Sequence, residues 1–168
     1  GEYAFQLVAY IPPQYQKGHL ISDWDLTQER LIWTVRKGIM WQAVDGVMGA
    51  RELTADDIAK DVQRFVDSPW GNRFDGLLKS VKAVGDTIVL EYDNYSPELF
   101  YFIGYEDRAI ISPPETTDVD DSAWENQGGT GAFAFEEYVV GSYMSYVKNP
   151  NFWGKTTIDG KQYDLPFI

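Results

Sequence analysis

A chain of 168 residues with 26 acidic against 14 basic side chains carries a formal charge of -12. A phosphate backbone is repelled unless a local basic patch exists, and the basic residues are scattered, so no nucleic acid is expected as a partner. Hydrophobic residues at 44% and charged residues at 24% exclude general disorder, and the absence of cysteine removes both disulfides and thiolate catalysis.

The length suits one ordinary domain. No apolar run approaches the ~20 residues that span a bilayer. No stretch reads as a signal peptide either, a pattern shared by a mature or trimmed exported protein. The unusual quantity is aromatic content, 6 Trp, 11 Tyr and 9 Phe, which supplies packing area and surfaces that stack on sugars, peptides or bases.

In chain order, the first regular element is Leu31–Arg36, where Leu31, Trp33 and Val35 recur with the period of a half-buried strand. Leu53-Thr54-Ala55-Asp56-Asp57-Ile58 then opens a helix, with Thr54 as N-cap, acids in the first turn and Leu53 placed to staple against Ile58. Ile58, Val62, Phe65 and Val66 fall on one face, and Asp67-Ser68-Pro69 ends the helix because the residue before a proline avoids the α region. Ser80–Val84 and Thr87–Tyr92 flank Gly85-Asp86, which fits a type II′ hairpin. Ser96-Pro97-Glu98 starts a short helix running to Gly104. Ala109–Ser112 reads as a buried strand stopped by Pro113-Pro114, and the acidic, polar Thr116–Gln127 as a loop. Ala132–Tyr138 and Ser142–Val147 read as two strands joined around Gly141, with Asn149-Pro150 closing the second. This order describes an α+β chain, or a mixed-sheet piece of an α/β fold.

Most candidates for chemistry fail on spacing. Asp118, Asp120 and Ser122 alternate as in a calcium loop, but the required Gly and Glu are Ala123 and Gly129, so no metal site is expected. His19 is the sole histidine and has no second one to share a zinc site or a triad, which favours a surface or locally bonded role. Gly128-Gly129-Thr130-Gly131 lacks the Lys-Ser/Thr ending of a phosphate loop and precedes a strand, so a backbone turn is the better reading. Asn94-Tyr95-Ser96 fits a glycosylation sequon that occurs commonly by chance. Glu136 and Glu137 are neighbours on a strand, pointing to opposite faces, and cannot form one carboxylate dyad. No catalytic residue and no cofactor follows.

The six tryptophans are dispersed, and most of them are expected in core or interface packing. Trp70 differs. Ser68-Pro69-Trp70-Gly71 sets a bulky ring on a loop where packing does not demand it, which marks Trp70 as a ligand-binding candidate. Near the end, Asn149-Pro-Asn-Phe-Trp-Gly154 places Phe152 and Trp153 between a turn signal and a glycine.

Taken together, these segments resemble family 5 extracellular solute-binding proteins of ABC importers, the oligopeptide- and dipeptide-binding group. The resemblance rests on Leu20-Ile-Ser-Asp-Trp24, Trp33-Thr-Val-Arg-Lys37 with Met40-Trp41 and Asp45-Gly46, and Leu53–Ile58. The hairpin Val81–Tyr92, Ile111-Ser-Pro113, Gly129-Thr-Gly-Ala-Phe133 and Lys148–Gly154 follow in the family's order. Val44 stands where the family has histidine, Val47–Arg51 looks like an insertion, and Ala132 replaces a proline.

The resemblance implies a two-lobe periplasmic-binding-protein type II fold of α/β class, with a mixed sheet, hairpins and a few helices. This chain would be a single partial domain over residues 1–168, a portion of the first lobe without the preceding segment, the second lobe and the returning strands. Phe152 and Trp153 would be a family turn element that packs the chain as it leaves one lobe for the other. The implied function is non-catalytic: capture of a peptide-like or other small polar solute for an ABC transporter permease. The implied setting is extracytoplasmic, periplasmic or lipid-anchored, and the implied state is a monomer. By the same resemblance Trp70 stands near a family aromatic that approaches the ligand. Two rival readings are a carbohydrate-binding module or glycoside-active enzyme, prompted by the aromatic and acidic content, and a structural interaction domain.

Overall fold

The computed structural model describes residues 12–104, 110–120 and 122–164. In chain order the strands and helices are β1 (Ile21–Leu26), β2 (Arg30–Val35), β3 (Met40–Trp41), β4 (Arg51–Glu52), α1 (Ala55–Asp67), β5 (Leu78–Val84) and β6 (Thr87–Tyr92). They continue with α2 (Leu99–Gly104), α3 (Pro114–Val119), β7 (Phe133–Val139), β8 (Tyr143–Lys148), β9 (Lys155–Ile158) and β10 (Lys161–Asp164). The chain divides into two compact units, Gly1–Arg36 with Val62–Ile110 and Lys37–Asp61 with Ile111–Ile168.

The first unit is built on an antiparallel sheet of order β1-β2-β6-β5. Trp24 faces Trp33, Leu31 faces Leu90, and Trp33 faces Ile88, so the apolar residues of successive strands share one face. Leu31, Trp33, Val35, Ile88, Leu90 and Tyr92 are all buried there, as period-2 alternation requires of a sheet with one covered face. The helix α2 adds Leu99, Phe100 and Ile103 to this core, with Phe100 6.0 Å from Trp24. The β5–β6 turn is the predicted one: Gly85 has φ +59 while Asp86 is not left-handed, as a type II′ turn demands. The short helix is described over Leu99–Gly104, and Ser96–Glu98, expected as its first positions, form the turn before it.

The second unit holds the pair β3–β4, the hairpins β7–β8 and β9–β10, the helix α3, and the first part of α1. Thr54 caps α1 as predicted: its Oγ1 accepts the Asp57 N–H at 3.3 Å, and Asp57 Oδ2 accepts the Thr54 N–H at 2.9 Å in return. Leu53 and Ile58 are both buried. In the first unit's part of α1, Val62 and Phe65 are buried and Val66 is half-buried. All strand pairings among the described residues are antiparallel.

Two sequence expectations are corrected. The strand expected at Ala109–Ser112 is absent from residues 110–112, and Ala109 lies outside the described residues. The two prolines start a helix instead of stopping a strand: Pro114 occupies the first helical position of α3, where its missing N–H would have no partner anyway. The N–H groups of Thr116 and Thr117 both donate to Pro113 O. The loop expected over Thr116–Gln127 therefore contains most of α3 and a 3-10 turn at Trp124–Asn126.

Candidate functional site

The turn after α1 carries the candidate Trp70, and its geometry follows from the residues around it. Pro69 forbids another helical turn, so Ser68 folds back: its Oγ donates to Phe65 O at 2.7 Å and accepts the Trp70 N–H at 3.2 Å. The Gly71 N–H donates to Ser68 O at 2.8 Å. A side chain at Gly71 would force the backbone to shift, since a Cβ there would lie 1.6 Å from Val66 O. Beyond it, the buried Phe74 packs edge-on against Phe65 at 5.5 Å and Phe102 at 6.5 Å. Arg73 lies over the Phe102 ring at 5.0 Å.

The turn is therefore tied down on both sides of an indole that is 52% exposed. A large, rigid ring offered this way stacks on a planar or aliphatic group, or receives a cation, with little ordering left to do on contact. The other tryptophans behave as packing residues: Trp33 and Trp41 are buried, and Trp24, Trp124 and Trp153 half-buried.

A charged centre not foreseen from the sequence lies in the second unit. Arg51 makes two bonds to Asp57 (Nη1–Oδ2 2.7 Å, Nη2–Oδ1 2.9 Å) and two to Glu115 (Nε–Oε1 2.6 Å, Nη2–Oε2 2.7 Å). Asp57 also accepts the Trp41 indole N–H at 3.1 Å. Burial pushes the Asp57 carboxyl upward, but the Arg51 guanidinium, the Thr54 N–H and the Trp41 indole together hold it below the usual carboxylate range. The Glu115 carboxyl is lowered chiefly by its bonds to Arg51. Arg51 uses its remaining N–H on the Glu52 carbonyl at 3.1 Å, so its donors are all engaged and the cluster braces the start of α1 against α3. Arg51 fell inside the segment read as an insertion, and the only local hint was an arginine just before a helix start rich in acids.

The remaining candidates resolve individually. Asp120 Oδ1 accepts both the N–H and the Oγ–H of Ser122, a closed local turn. Among the described residues no group of three or more His, Cys, Asp or Glu is placed to hold a metal ion. His19 is exposed, and its carbonyl accepts Arg36 Nε at 2.8 Å. The glycine run precedes β7 as expected of a backbone turn, with Gln42 donating to the carbonyls of Gly129, Gly131 and Phe133. The left-handed conformations that a glycine-requiring turn implies are absent, since none of the three glycines has positive φ; only Gly128 is crowded, where a Cβ would approach Val44 Cγ2 to 2.9 Å.

Glu136 is the unpaired residue of a β-bulge between Phe135 and Glu137, and both acids are exposed. Phe152 and Trp153 lie 6.0 Å apart at an interplanar angle of 52°. Phe152 fills the space a Gly154 side chain would need, and the buried Asn149 ties this turn to the Gly131 carbonyl at 2.7 Å.

Residues 16–164 match the model of bacterial extracellular solute-binding proteins, family 5 Middle. The chain belongs to this family. It is 27% identical to heme-binding protein A of Haemophilus influenzae, over 83% of this chain and 30% of that protein. It is 26% identical to di/tripeptide-binding protein 2 of Pseudomonas aeruginosa, over 83% of this chain and 31% of that protein. Among solved structures it is similar to the ABC transporter-associated periplasmic binding protein DppA of Helicobacter pylori, in complex with the peptide STSA. That likeness has a TM-score of 0.66 at 21% identity, over 81% of this chain and 31% of that one, and speaks for the fold. The chain thus spans about a third of the length of the proteins it matches.

Proposed function

We propose that this family 5 chain is part of an extracytoplasmic solute-binding component of an ABC importer, which captures a peptide-like or other small polar solute and delivers it to a membrane permease. The observation that carries the proposal is the family match over nearly the whole chain, and it is supported by the pinned turn that holds Trp70 out to solvent. Relatives are named for heme and for di- and tripeptides, so the solute class proposed here is small and mixed in polarity, with peptides first.

In this reading residues 1–168 are a partial domain of the first lobe, and the solute's other walls are supplied by polypeptide outside it. The complete protein acts as a monomer without catalysis, free in the periplasm or lipid-anchored. Ligand contacts favour a closed state over an open one. Trp70 contributes one apolar wall, and the work is done by burial and shape.

Calorimetric titration of the longer polypeptide, read from the encoding frame on both sides, with a di- and tripeptide panel and with heme tests this. Binding is expected, weakened about 10- to 30-fold by Trp70→Ala, as for a stacked aromatic anchor. No binding to any of these solutes would overturn the assignment of the solute class, and unaltered affinity in the Trp70→Ala variant would remove Trp70 from the site.

A further inference from the structure

Trp70 shares its face of the turn with a cation. Gly71–Phe74 is a 3-10 turn, in which side chains three residues apart eclipse. Trp70 already has helical φ -86 and ψ -11, so it belongs to the same series. Gly71 and Phe74 make the buried face, Asn72 stands exposed on a second, and Trp70 and Arg73 project together from the third. Arg73 is the sole basic residue between Asp67 and Asp75.

The position of that cation is fixed by the core beneath it. The Arg73 guanidinium lies 5.0 Å from the centroid of the Phe102 ring, and Phe102 meets the buried Phe74 at 6.5 Å. A contact with a ring face holds a guanidinium without requiring a hydrogen bond, and the N–H fork of arginine is the side-chain group whose geometry matches a carboxylate. Three residues at ~2.0 Å rise set the indole and the guanidinium about 6 Å apart along the turn. A solute with a carboxylate a few bonds from a flat apolar group bridges that span. A chain of charge -12 repels anionic solutes overall, so a fixed cation beside the apolar wall changes which solutes the site accepts.

We infer that Arg73 is a specificity-determining residue of the Trp70 site, receiving a carboxylate of the solute while the indole covers the apolar part next to it. The inference rests on the functional reading above and goes beyond it by naming the group that is recognised. The carboxylate has three possible sources among the solutes proposed: a peptide C-terminus, an acidic side chain, or a heme propionate.

Calorimetric titration of the longer polypeptide with matched acid and neutral solutes tests this. The pairs are alanylphenylalanine and its C-terminal amide, amidated Phe-Glu and amidated Phe-Gln, and heme and its dimethyl ester. In at least one pair the acid is expected to bind more tightly, and Arg73→Gln to weaken that acid roughly tenfold while leaving its neutral partner unchanged; the pair that responds identifies the source. Arg73→Lys, which keeps the charge and loses the fork, is expected to fall between. Trp70→Ala is expected to weaken both members of a pair alike. Equal loss of acid and neutral solute in Arg73→Gln would make Arg73 a brace of the turn and overturn the inference, as would unaltered discrimination in every pair. In both of those outcomes the parent still binds solute and the functional reading stands, whereas a parent that binds no member of any pair overturns the two together.

Discussion

Arg51 grips Asp57 through two parallel hydrogen bonds, Nη1 to Oδ2 at 2.7 Å and Nη2 to Oδ1 at 2.9 Å, while its remaining nitrogen capacity holds Glu115. Asp57 is buried, so its charge depends on that fork, whereas Glu115 is a third exposed and can return to water. Arg51→Met is therefore expected to destabilise the chain by about 2 kcal/mol, below the usual figure for a fully buried pair because the guanidinium is itself a third exposed. Glu115→Gln is expected to cost about 0.5 kcal/mol, in the range of exposed pairs. Urea unfolding of the two variants checks the order, and equal losses would show that burial of Asp57 does not decide the energetics.

The same centre sets a pH dependence. Both carboxyls have folded-state values lowered from their ordinary ones, so the folded chain binds fewer protons than the unfolded chain in the acid range. The stability they contribute is fully present above the unfolded carboxylate values and is lost as pH falls through the folded ones. Stability measured by urea unfolding is expected to be flat from neutral pH down to about 5 and to decline below about 4. In Arg51→Met that decline is expected to be shallower, and an unchanged slope would assign the acid sensitivity to other groups.

The β9–β10 turn offers a local test. Asp159 and Gly160 have φ +50 and +75, and Ile158 pairs with Lys161, which is a two-residue type I′ turn. Gly160→Ala is expected to cost about 1 kcal/mol, since a side chain must then adopt the left-handed conformation. Asp159→Asn, which tolerates that region equally well, is expected to be neutral. Thermal unfolding of both variants separates this backbone effect from any loss of the aspartate charge.

Local signals in the sequence were enough for much of the fold. Thr54 before an apolar-periodic run, Gly85-Asp86 between two strands and Gly141 between two more each specify their element through nearby residues. Asp159-Gly160 is an equally strong turn signal, but the flanking Lys155–Ile158 and Lys161–Asp164 are short and polar and show no strand period. At Pro113-Pro114 two readings of proline compete, strand stop and helix start, and the threonines that bond back to Pro113 decide it. Met40–Trp41 and Arg51–Glu52 are two residues long, too short for any period, and their pairing is what delivers Arg51 to Asp57. For the candidate site, the loop position of Trp70 was readable from Pro69, whereas its pinning depends on Phe74 meeting Phe65 and Phe102 across the sequence.

That pinning carries the last prediction. Gly71 sits where a Cβ would lie 1.6 Å from the Val66 carbonyl oxygen, a contact with backbone that cannot move without shifting the end of α1. Gly71→Ala is expected to cost about 3 kcal/mol, at the upper end for inserting one methyl group into a filled site. It should also release the Gly71–Ser68 bond that orients the turn. Because the indole is exposed, Trp70→Ala is expected to leave unfolding midpoints almost unchanged. Indole fluorescence anisotropy, read in a chain with the other tryptophans replaced by phenylalanine, should show a freer Trp70 ring in Gly71→Ala. If the ring is as immobile as before and stability is retained, the turn is held by Phe74 and Arg73 alone, and the close approach at Gly71 has no part in presenting Trp70.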